Sequence, residues 1–238
     1  MRRLFICIIA TVLCRTAAFA QRDWAGFGRY AEANKALSAT QGADTKPGAG
    51  KAAGAMAARP KAVFFGDSIT DAWANRDCPE FFSEHGFVGR GISGQTTSHM
   101  VVRLRRDVID LHPKYMVLLA GINDIAQNNG AIDVENVFGN IVSIVELCRA
   151  HKIKPILCTV FPTTHIPWRE IDNVPAKIEQ LNGLLRDYAR ANRIPCVDYF
   201  SPETYVNGRL PENLSLDGVH PTPDGYAIMQ DVILPLLK

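Results

Sequence analysis

The sequence has no long apolar run after its first twenty residues and no excess of either charge. Beyond residue 20, no stretch reaches the roughly eighteen apolar residues that a membrane-spanning helix needs. The formal net charge of the 238 residues is only +2 at pH 7, without a block of clustered lysine and arginine. Nucleic-acid-binding domains carry such a block or stripe. A stable membrane span and a nucleic-acid partner are therefore not expected.

Cysteine is also scarce, and its spacing fits no metal or redox motif. The six cysteines form no C-x-x-C pair, and no two histidines stand at metal-ligand spacing, so no metal site is predicted. An exported protein could oxidise its cysteines, but free cysteine is among the most buried residue types, so packing roles are favoured. Disulfide pairing stays open. The four cysteines after residue 20 are Cys78, Cys148, Cys158 and Cys196.

The first twenty residues differ from everything after them. Arg2 and Arg3 form a basic start, residues 4–13 an apolar core, and Ala18-Phe19-Ala20 a small-residue cleavage signal. This pattern predicts a secretory signal peptide, too short to remain as a membrane helix. We expect cleavage after Ala20 and a secreted or periplasmic protein.

A lipid-anchored form is the alternative at this end of the chain. Cys14 would suit it, but the bulky Leu13 stands where a small residue is expected, so cleavage after Ala20 is preferred. Removal of residues 1–20 leaves 23 of the 26 lysine and arginine residues against 24 aspartate and glutamate residues. The remaining chain is therefore close to neutral, at about −1.

Composition divides the rest of the chain into an N-terminal arm and linker, residues 21–60, and one domain, residues 61–238. Residues 41–59 are rich in glycine, alanine and lysine and have little to bury, which is typical of a flexible linker. The segment before them carries an apolar stripe at helical spacing, which predicts a docking surface rather than a binding site. The stripe consists of Trp24, Phe27, Tyr30 and Leu37.

From residue 61 onward, short apolar runs alternate with amphipathic helical patterns. Helical patterns cover residues 97–111 and 132–151, and a further helix opens with Thr222 as its N-cap. Such alternation predicts a single α/β domain, with a parallel sheet and helices on both of its faces. The five predicted strands are 62–65, 87–92, 115–120, 155–160 and 195–199.

Four polar motifs follow these strands or open the last helix. Alone, each is weak, because Asn, Asp and Ser after a strand are usually turn formers or helix caps. Together they point to chemistry, because ligands of open α/β sheets bind outside the carboxyl ends of the strands. The motifs are Gly66-Asp67-Ser68, Gly91-Ile92-Ser93-Gly94, Gly121-Ile122-Asn123-Asp124 and Asp217-Gly218-Val219-His220.

These motifs contain the parts of a serine nucleophile and an oxyanion hole. Serine needs a neighbouring base and a third group that holds this base in its tautomer, and Ser68, His220 and Asp217 supply them. Acyl transfer also needs preorganised donors for the oxyanion. The backbone N–H groups of Ser68 and Gly94 and the carboxamide of Asn123 are the candidates.

The four motifs, in this order, resemble the SGNH (GDSL-type) esterase/lipase superfamily, in particular its acetylesterase and platelet-activating-factor-acetylhydrolase-like branch. The resemblance covers residues 61–238. It implies a three-layer α/β/α flavodoxin-like fold, a five-stranded parallel sheet in the order 2-1-3-4-5, and ester hydrolysis without a cofactor. It also implies Ser68 as nucleophile, His220 as base, Asp217 as its orienter, and Ser68, Gly94 and Asn123 as oxyanion donors.

One departure from the family pattern and one alternative fold test this resemblance. The family's Gly-Asp-Ser-Leu reads Gly-Asp-Ser-Ile here, an apolar exchange at Ile69. An α/β-hydrolase would instead place its serine in G-x-S-x-G, but Thr70 stands two residues after Ser68. The SGNH interpretation is therefore preferred.

The substrate is predicted only by class. No long apolar lid separates the motifs, which favours a small-molecule ester with a small acyl group, most simply acetyl, on a carbohydrate or similar polar alcohol. Trp168 and Arg169, in the loop after the fourth strand, are candidate substrate-binding residues. Trp168 could equally pin its own loop, and Arg169 could pair with Glu170. The alternatives are a lysophospholipase or thioesterase and, from another class, a non-catalytic carbohydrate-binding or surface module; the oligomeric state stays open.

Overall fold

The computed structural model describes residues 23–43 and 59–238. The predicted signal peptide, with its cleavage after Ala20, lies outside the described residues, as does most of the predicted linker. Within the two described ranges, no helix is both long enough and apolar enough to span a bilayer.

The predicted five-stranded parallel sheet is confirmed, with the order β2-β1-β3-β4-β5. Its central strands are buried along their whole length, as expected for a parallel sheet covered on both faces. The last strand is shorter than predicted, because Pro195 has no N–H to donate to the sheet and the chain turns away after two residues. The strands are β1 Ala62–Gly66, β2 Phe87–Gly91, β3 Tyr115–Leu119, β4 Lys154–Cys158 and β5 Cys196–Val197.

Helices flank this sheet. Helices α4, α6 and α7 pack side by side, while α2, α3 and the π-helical turn between them contact β2. The α-helices are α1 Ala31–Ala43, α2 Ser68–Ala72, α3 Pro79–His85, α4 Thr97–Asp107, α5 Ile122–Ile125, α6 Val134–Ala150, α7 Val174–Asn192 and α8 Pro223–Ile233. The π-helical turn is Trp73–Asp77, and short 3₁₀ turns cover Ile109–Leu111, Pro202–Thr204 and Leu234–Leu236.

An aromatic cluster supports the segment that follows β1. The indole of Trp73 stacks on the Phe81 ring at 5.7 Å and on the Tyr226 ring at 5.5 Å, and Phe64 of β1 meets its edge at 5.2 Å. Aromatic pairs in these geometries add to the burial of their area. The cluster therefore gives α2, which begins at Ser68, a rigid base.

The four cysteines in the described part of the chain are free, and Cys148 and Cys158 are buried, as their packing roles predicted.

The segment before α1 is not the continuous helix that the apolar stripe suggested. Trp24 and Phe27 lie in turns, because the Asp23 carboxylate accepts hydrogen bonds from the backbone N–H groups of Phe27 and Gly28 at 2.8 and 2.6 Å. Trp24 is 57% exposed, whereas Tyr30 is buried against the domain. The stripe is thus only partly a docking surface.

The strands end in register at one edge of the sheet, called here the carboxyl edge. Gly66 of β1 pairs with Gly91 of β2 and Leu119 of β3, and Leu119 pairs with Cys158 of β4. The segments that leave these residues therefore start side by side. Three of the four polar motifs are among them.

Candidate active site

Ser68 stands at the first position of α2, directly after β1. Asp67 is the N-cap of this helix, and its Oδ1 accepts the Ile69 N–H at 3.0 Å. The helix packs so tightly on β2 that a Cβ at Gly91 would lie 2.6 Å from the Asp67 carbonyl oxygen. A cap and a candidate nucleophile therefore coexist in adjacent residues, with Ser68 half-buried at the carboxyl edge.

The predicted nucleophile, base and orienter form one hydrogen-bonded chain. Ser68 Oγ lies 2.9 Å from His220 Nε2, and His220 Nδ1 lies 2.7 Å from Asp217 Oδ2. Both contacts are within hydrogen-bond range. Because Nδ1 faces a carboxylate, the neutral imidazole carries its proton on Nδ1 and presents Nε2 to the serine as an acceptor.

The loop that carries Asp217 and His220 is shaped by Asp217 itself. Its Oδ1 accepts the backbone N–H groups of Val219 and His220 at 2.9 and 2.8 Å, which leaves Oδ2 for the imidazole. Gly218 adopts φ +81°, a left-handed conformation that glycine takes without strain. Acid and base three residues apart are thus held by local hydrogen bonds.

These contacts shift the pKa of both groups in opposite directions. Partial burial by itself would raise the pKa of the Asp217 carboxyl, but the hydrogen bonds from His220 and Val219 outweigh it and hold this pKa well below its usual value. The hydrogen bond to Asp217 raises the pKa of His220 above its ordinary value, against the effect of burial. The pair is therefore arranged to stabilise an imidazolium.

Gly94 and Asn123, the predicted oxyanion donors, line the same cleft as Ser68. Gly94 adopts φ +77°, and a Cβ there would meet no atom within 4 Å, so its backbone conformation rather than space favours glycine. Asn123 is 1% exposed; its Nδ2 donates to the Gln95 carbonyl at 3.1 Å, and its Oδ1 accepts from Asn128 Nδ2 at 2.7 Å. This pairing fixes the carboxamide so that its remaining N–H is available as a donor.

Two buried aspartates near the nucleophile have structural partners. Burial raises the pKa of Asp67 and of Asp124 to about 6 in each case. Asp124 follows β3, where an aspartate commonly caps the next segment, but it does not cap the segment after it. Its carboxylate instead accepts the N–H of Thr97 at 2.9 Å and its hydroxyl at 2.6 Å, and so holds the start of α4 against α5.

The site opens into a wide cleft of about 970 Å³. Trp168 lines it, with its ring centroid 5.8 Å from that of His220 and its Nε1 donating to Asn128 Oδ1 at 3.0 Å. Arg169 is not among the lining residues; its guanidinium donates to the Gln127 carbonyl at 3.2 Å. The structure thus brings Trp168 to the site and points Arg169 to the backbone beside it.

Several lining residues were not found by reasoning from the sequence. Asp71 and Asn75 follow Ser68 by about one and two helical turns, a period that could have indicated them. Arg29 and Asn128 come from segments with no motif, and no local signal marks them. Within the described ranges, no group of three His, Cys, Asp or Glu side chains is arranged to hold a metal ion.

A helix-flanked parallel sheet with a serine, a histidine and an aspartate joined at its carboxyl edge is the arrangement of a serine ester hydrolase. The chain belongs to the GDSL-like lipase/acylhydrolase family, whose sequence model matches residues 64–228. The resemblance noted from the four motifs is therefore confirmed at the level of the family.

Solved structures agree with this family. A GDSL-like lipase from Bacteroides thetaiotaomicron is 40% identical, with a TM-score of 0.77 over 90% of this chain and 97% of that one. An acetyl xylan esterase shares the fold, with a TM-score of 0.63 over 74% of this chain and 99% of that one, at 20% identity.

Two further relatives are similar in sequence. The human platelet-activating factor acetylhydrolase IB subunit alpha2 is 27% identical over 75% of this chain and 78% of its own length. The lipoprotein YqeF of Bacillus subtilis is 35% identical over 42% of this chain, and the match spans 48% of that relative, about half its length.

Proposed function

We propose that this protein is an exported serine esterase that removes small acyl groups, acetyl above all, from carbohydrates or similar polar alcohols. The observation that carries the proposal is the hydrogen-bonded chain from Ser68 through His220 to Asp217, all three of which line an open cleft. The enzyme class follows from the family, whereas the substrate and the roles of individual residues are the proposal.

The reaction proceeds by double displacement. His220 Nε2 takes the proton of Ser68 as Oγ attacks the ester carbonyl carbon, and Asp217 stabilises the imidazolium that forms. The tetrahedral intermediate collapses, the C–O bond to the alcohol breaks, and His220 donates its proton to the leaving oxygen. Water then attacks the acyl-serine ester with His220 again as base, which releases the carboxylic acid and restores Ser68.

The oxyanion of each tetrahedral intermediate is stabilised by three donors. They are the backbone N–H groups of Ser68 and Gly94 and the Nδ2 of Asn123. In support of this role, Asn128 Nδ2 donates a hydrogen bond to Asn123 Oδ1. The Nδ2 group of Asn123 is therefore the part of the carboxamide that can donate to the oxyanion. Such donors stabilise charge that develops only during the reaction, so they raise kcat rather than ground-state binding.

A small acyl group and a polar alcohol fit the lining of the cleft. Most side chains that line it are polar or charged, and a long acyl chain would need a continuous apolar channel beside Ser68. The name of the human relative, an acetylhydrolase at 27% identity, also supports acetyl as the acyl group. Trp168 offers an aromatic face at the rim on which a sugar ring can pack.

Export is supported from outside the described residues. Residues 1–20 carry the composition of a cleavable signal peptide, and the Bacillus subtilis relative is named a lipoprotein. A secreted or periplasmic location, with cleavage after Ala20, therefore belongs to the same proposal. N-terminal sequencing of the protein recovered from the medium or periplasm would test it; an intact Met1 on cytoplasmic protein would contradict it.

The function is tested with p-nitrophenyl esters of increasing acyl length and with acetylated glycosides. We expect hydrolysis that is fastest for acetyl and is lost in Ser68→Ala. Ser143→Ala, which changes an exposed serine on α6, is the matched control. A preference for acyl chains of eight carbons or more would favour a lysophospholipase or thioesterase. Equal activity of wild type and Ser68→Ala would contradict the catalytic proposal and leave a binding module.

A further inference from the structure

The first part of the predicted N-terminal arm, residues 23–34, lies against the loop that carries Gly94. From here on, only these residues are called the arm. We propose that the arm is part of the active site: it holds this loop in place and contributes Arg29 as a specificity-determining residue for the alcohol portion of the substrate. The inference rests on the proposed esterase function. The inference goes beyond that function because it assigns a role to a segment that precedes β1 and lies outside all four motifs.

The arm binds the Gly94 loop at both of its ends. The Tyr30 hydroxyl donates to the Gly91 carbonyl, where the loop leaves β2. Gln95 Nε2, just beyond Gly94, donates to the Ala25 carbonyl at 2.8 Å. All four of these residues are buried, so loss of either contact leaves a polar group without water to replace its partner.

The same loop is tied to Asn123, another of the three proposed oxyanion donors. The Gln95 carbonyl accepts the hydrogen bond from Asn123 Nδ2, and the Gln95 side-chain oxygen accepts one from the buried guanidinium of Arg103. Arg103 also donates to the Gly66 carbonyl at the end of β1 at 2.8 Å. The arm, the Gly94 loop, Asn123 and the nucleophile strand therefore form one connected network. A displaced arm would displace Gly94 and Asn123, two of the three proposed oxyanion donors.

Arg29 reaches from the arm into the wall of the cleft. Its Nη2 donates to Asp71 Oδ1 at 3.2 Å, and Asp71 also accepts from Asn75 at 2.8 Å and from Ser93 at 3.2 Å. All four side chains line the cleft beside Ser68. Asp71 therefore joins three segments: the arm, α2 and the Gly94 loop.

The charge of this wall indicates a neutral, hydroxylated ligand. Arg29 pairs with Asp71, and the other arginine of the cleft, Arg76, pairs with Asp77 through two hydrogen bonds of 2.9 Å. Paired charges attract an anion weakly but still offer hydrogen-bond donors and acceptors. A guanidinium has five N–H donors, and the side chain of Arg29 is half exposed and donates one hydrogen bond to Asp71 through Nη2. The remaining donors suit the hydroxyl and ring oxygens of a sugar.

The role of Arg29 is tested by comparing two substrates of wild type and Arg29→Ala. For a mono-O-acetylated methyl glycoside, we expect kcat/KM to fall about tenfold more than for p-nitrophenyl acetate, mainly through KM, because the aryl alcohol lacks the hydroxyls that Arg29 binds. Arg105→Ala, on the exposed side of α4, is the control and is expected to leave the ratio unchanged. Equal losses on both substrates, or no loss on the glycoside, would overturn the specificity role.

The positioning role is tested with two tyrosine hydroxyls at opposite ends of the sheet. Tyr30→Phe removes the donor to the Gly91 carbonyl, and Tyr115→Phe removes a donor to the Lys238 carbonyl. Each variant loses the hydrogen bond that its hydroxyl donates, and Tyr30→Phe also loses the 3.4 Å contact from Asn75 Nδ2. We expect decreases in Tm of about 2–4 °C in both. Only Tyr30→Phe is expected to lower kcat, on the order of tenfold and on both substrates, because only its partner leads to the oxyanion donors.

Equal kcat values for these two variants would overturn the positioning role. Absence of hydrolysis by the wild-type protein on both esters would overturn the proposed function and this inference with it. Wild-type activity, combined with Arg29→Ala and Tyr30→Phe variants that behave like their controls, would overturn the inference alone. The two failures are therefore distinguishable in one set of measurements.

Discussion

The two ends of the parallel sheet carry charge in opposite ways. At the carboxyl edge, arginines lie beside aspartates and are paired with them: Arg29 with Asp71, Arg76 with Asp77 and Arg103 with Asp107. At the other end, called here the amino edge, a cavity of about 350 Å³ is lined by four exposed cations. Among the described residues, none of the four joins an ion pair. They are Arg149, Lys152, Lys154 and Arg193.

The two edges differ because a charged side chain needs a partner only where it is buried. Helices α6 and α7 both end at the amino edge, and helix C-termini carry partial negative charge that favours solvated cations. Exposed charges there therefore cost little without a partner. At the carboxyl edge, Arg103 is fully buried and Asp217 and His220 are partly buried, so each charge must be matched by hydrogen bonds. Charges that are matched by hydrogen-bonded partners in this way, called here interlocked charges, mark a site. Solvated charges do not.

The largest expected effect comes from neutralising Asp217, the proposed orienter of His220, at the carboxyl edge. In Asp217→Asn, the amide nitrogen opposes His220 Nδ1 and favours the wrong tautomer, so kcat is expected to fall about 10⁴-fold. The hydrogen bond that raises the pKa of His220 is also weakened. The base must be neutral, so wild-type activity is lost as pH falls through this raised pKa. The residual activity of Asp217→Asn should persist to lower pH.

The measurement is the pH dependence of kcat/KM on p-nitrophenyl acetate. Asp224→Asn makes the same chemical change on the exposed first turn of α8 and serves as the control. An acid limb that stays at the wild-type position in Asp217→Asn would contradict the assigned cause of the His220 shift.

The next effect concerns stability and compares two arginines two residues apart on α4. Arg103→Leu removes a fully buried cation and leaves Asp107 without its charged partner, so the free energy of unfolding is expected to fall by about 3–5 kcal/mol. Arg105→Leu removes an exposed cation 3.8 Å from Asp110, and a change within about 0.5 kcal/mol is expected. Urea denaturation of both variants measures the difference. Similar losses in the two would erase the distinction between interlocked and solvated charge.

A third comparison uses two asparagines at opposite edges. Asn123→Ala removes a proposed oxyanion donor, so kcat is expected to fall about 100- to 1000-fold. Asn192→Ala, at the amino edge, removes a hydrogen bond from Nδ2 to the Tyr188 carbonyl and is expected to leave kcat unchanged. Steady-state kinetics with p-nitrophenyl acetate, alongside Tm, separates catalysis from folding. Near-normal turnover by a folded Asn123→Ala protein would remove Asn123 from the oxyanion hole.

The smallest expected effect lies at the amino edge. Lys152 adopts φ +63° directly after α6, a conformation that costs a side-chain-bearing residue more than glycine. Lys152→Gly is therefore expected to raise the free energy of unfolding by about 1 kcal/mol without changing kcat. Glu146→Gly, within the same helix, should lower it by about 1 kcal/mol. A stability loss in Lys152→Gly would show that its side chain makes a contribution that the charge comparison overlooks.

The sequence predicts the fold well because the signals that specify it are local. Most strands are short apolar runs, the longer helices have periodic apolar residues, and Thr222 caps α8 as expected, with its side chain accepting the Gly225 N–H. The limits of β4 and β5 were less accurate, because strand ends depend on a neighbour's hydrogen bonds. Likewise, the turns at Trp24 and Phe27 follow from the carboxylate of Asp23, which a helical projection does not weigh.

In the candidate site, too, some residues could be predicted from local motifs and others could not. Ser68, Gly94, Asn123 and the Asp217–His220 pair stand in short motifs, so their types and order are readable without a structure. The partners of these residues are not. Asn128 orients the Asn123 carboxamide, and nothing local distinguishes it from any other loop asparagine.

By itself, the sequence determined the family, the parallel sheet and the polar motifs at its carboxyl edge, because periodicity, caps and strand ends act over a few residues. Only the tertiary structure decided which distant groups meet. It brought Arg29 to Asp71, Tyr30 to the Gly91 carbonyl, and Asp124 to the start of α4. Contacts of this kind depend on how segments far apart in the chain pack, and packing is settled by burial of the whole core rather than by any one stretch of sequence.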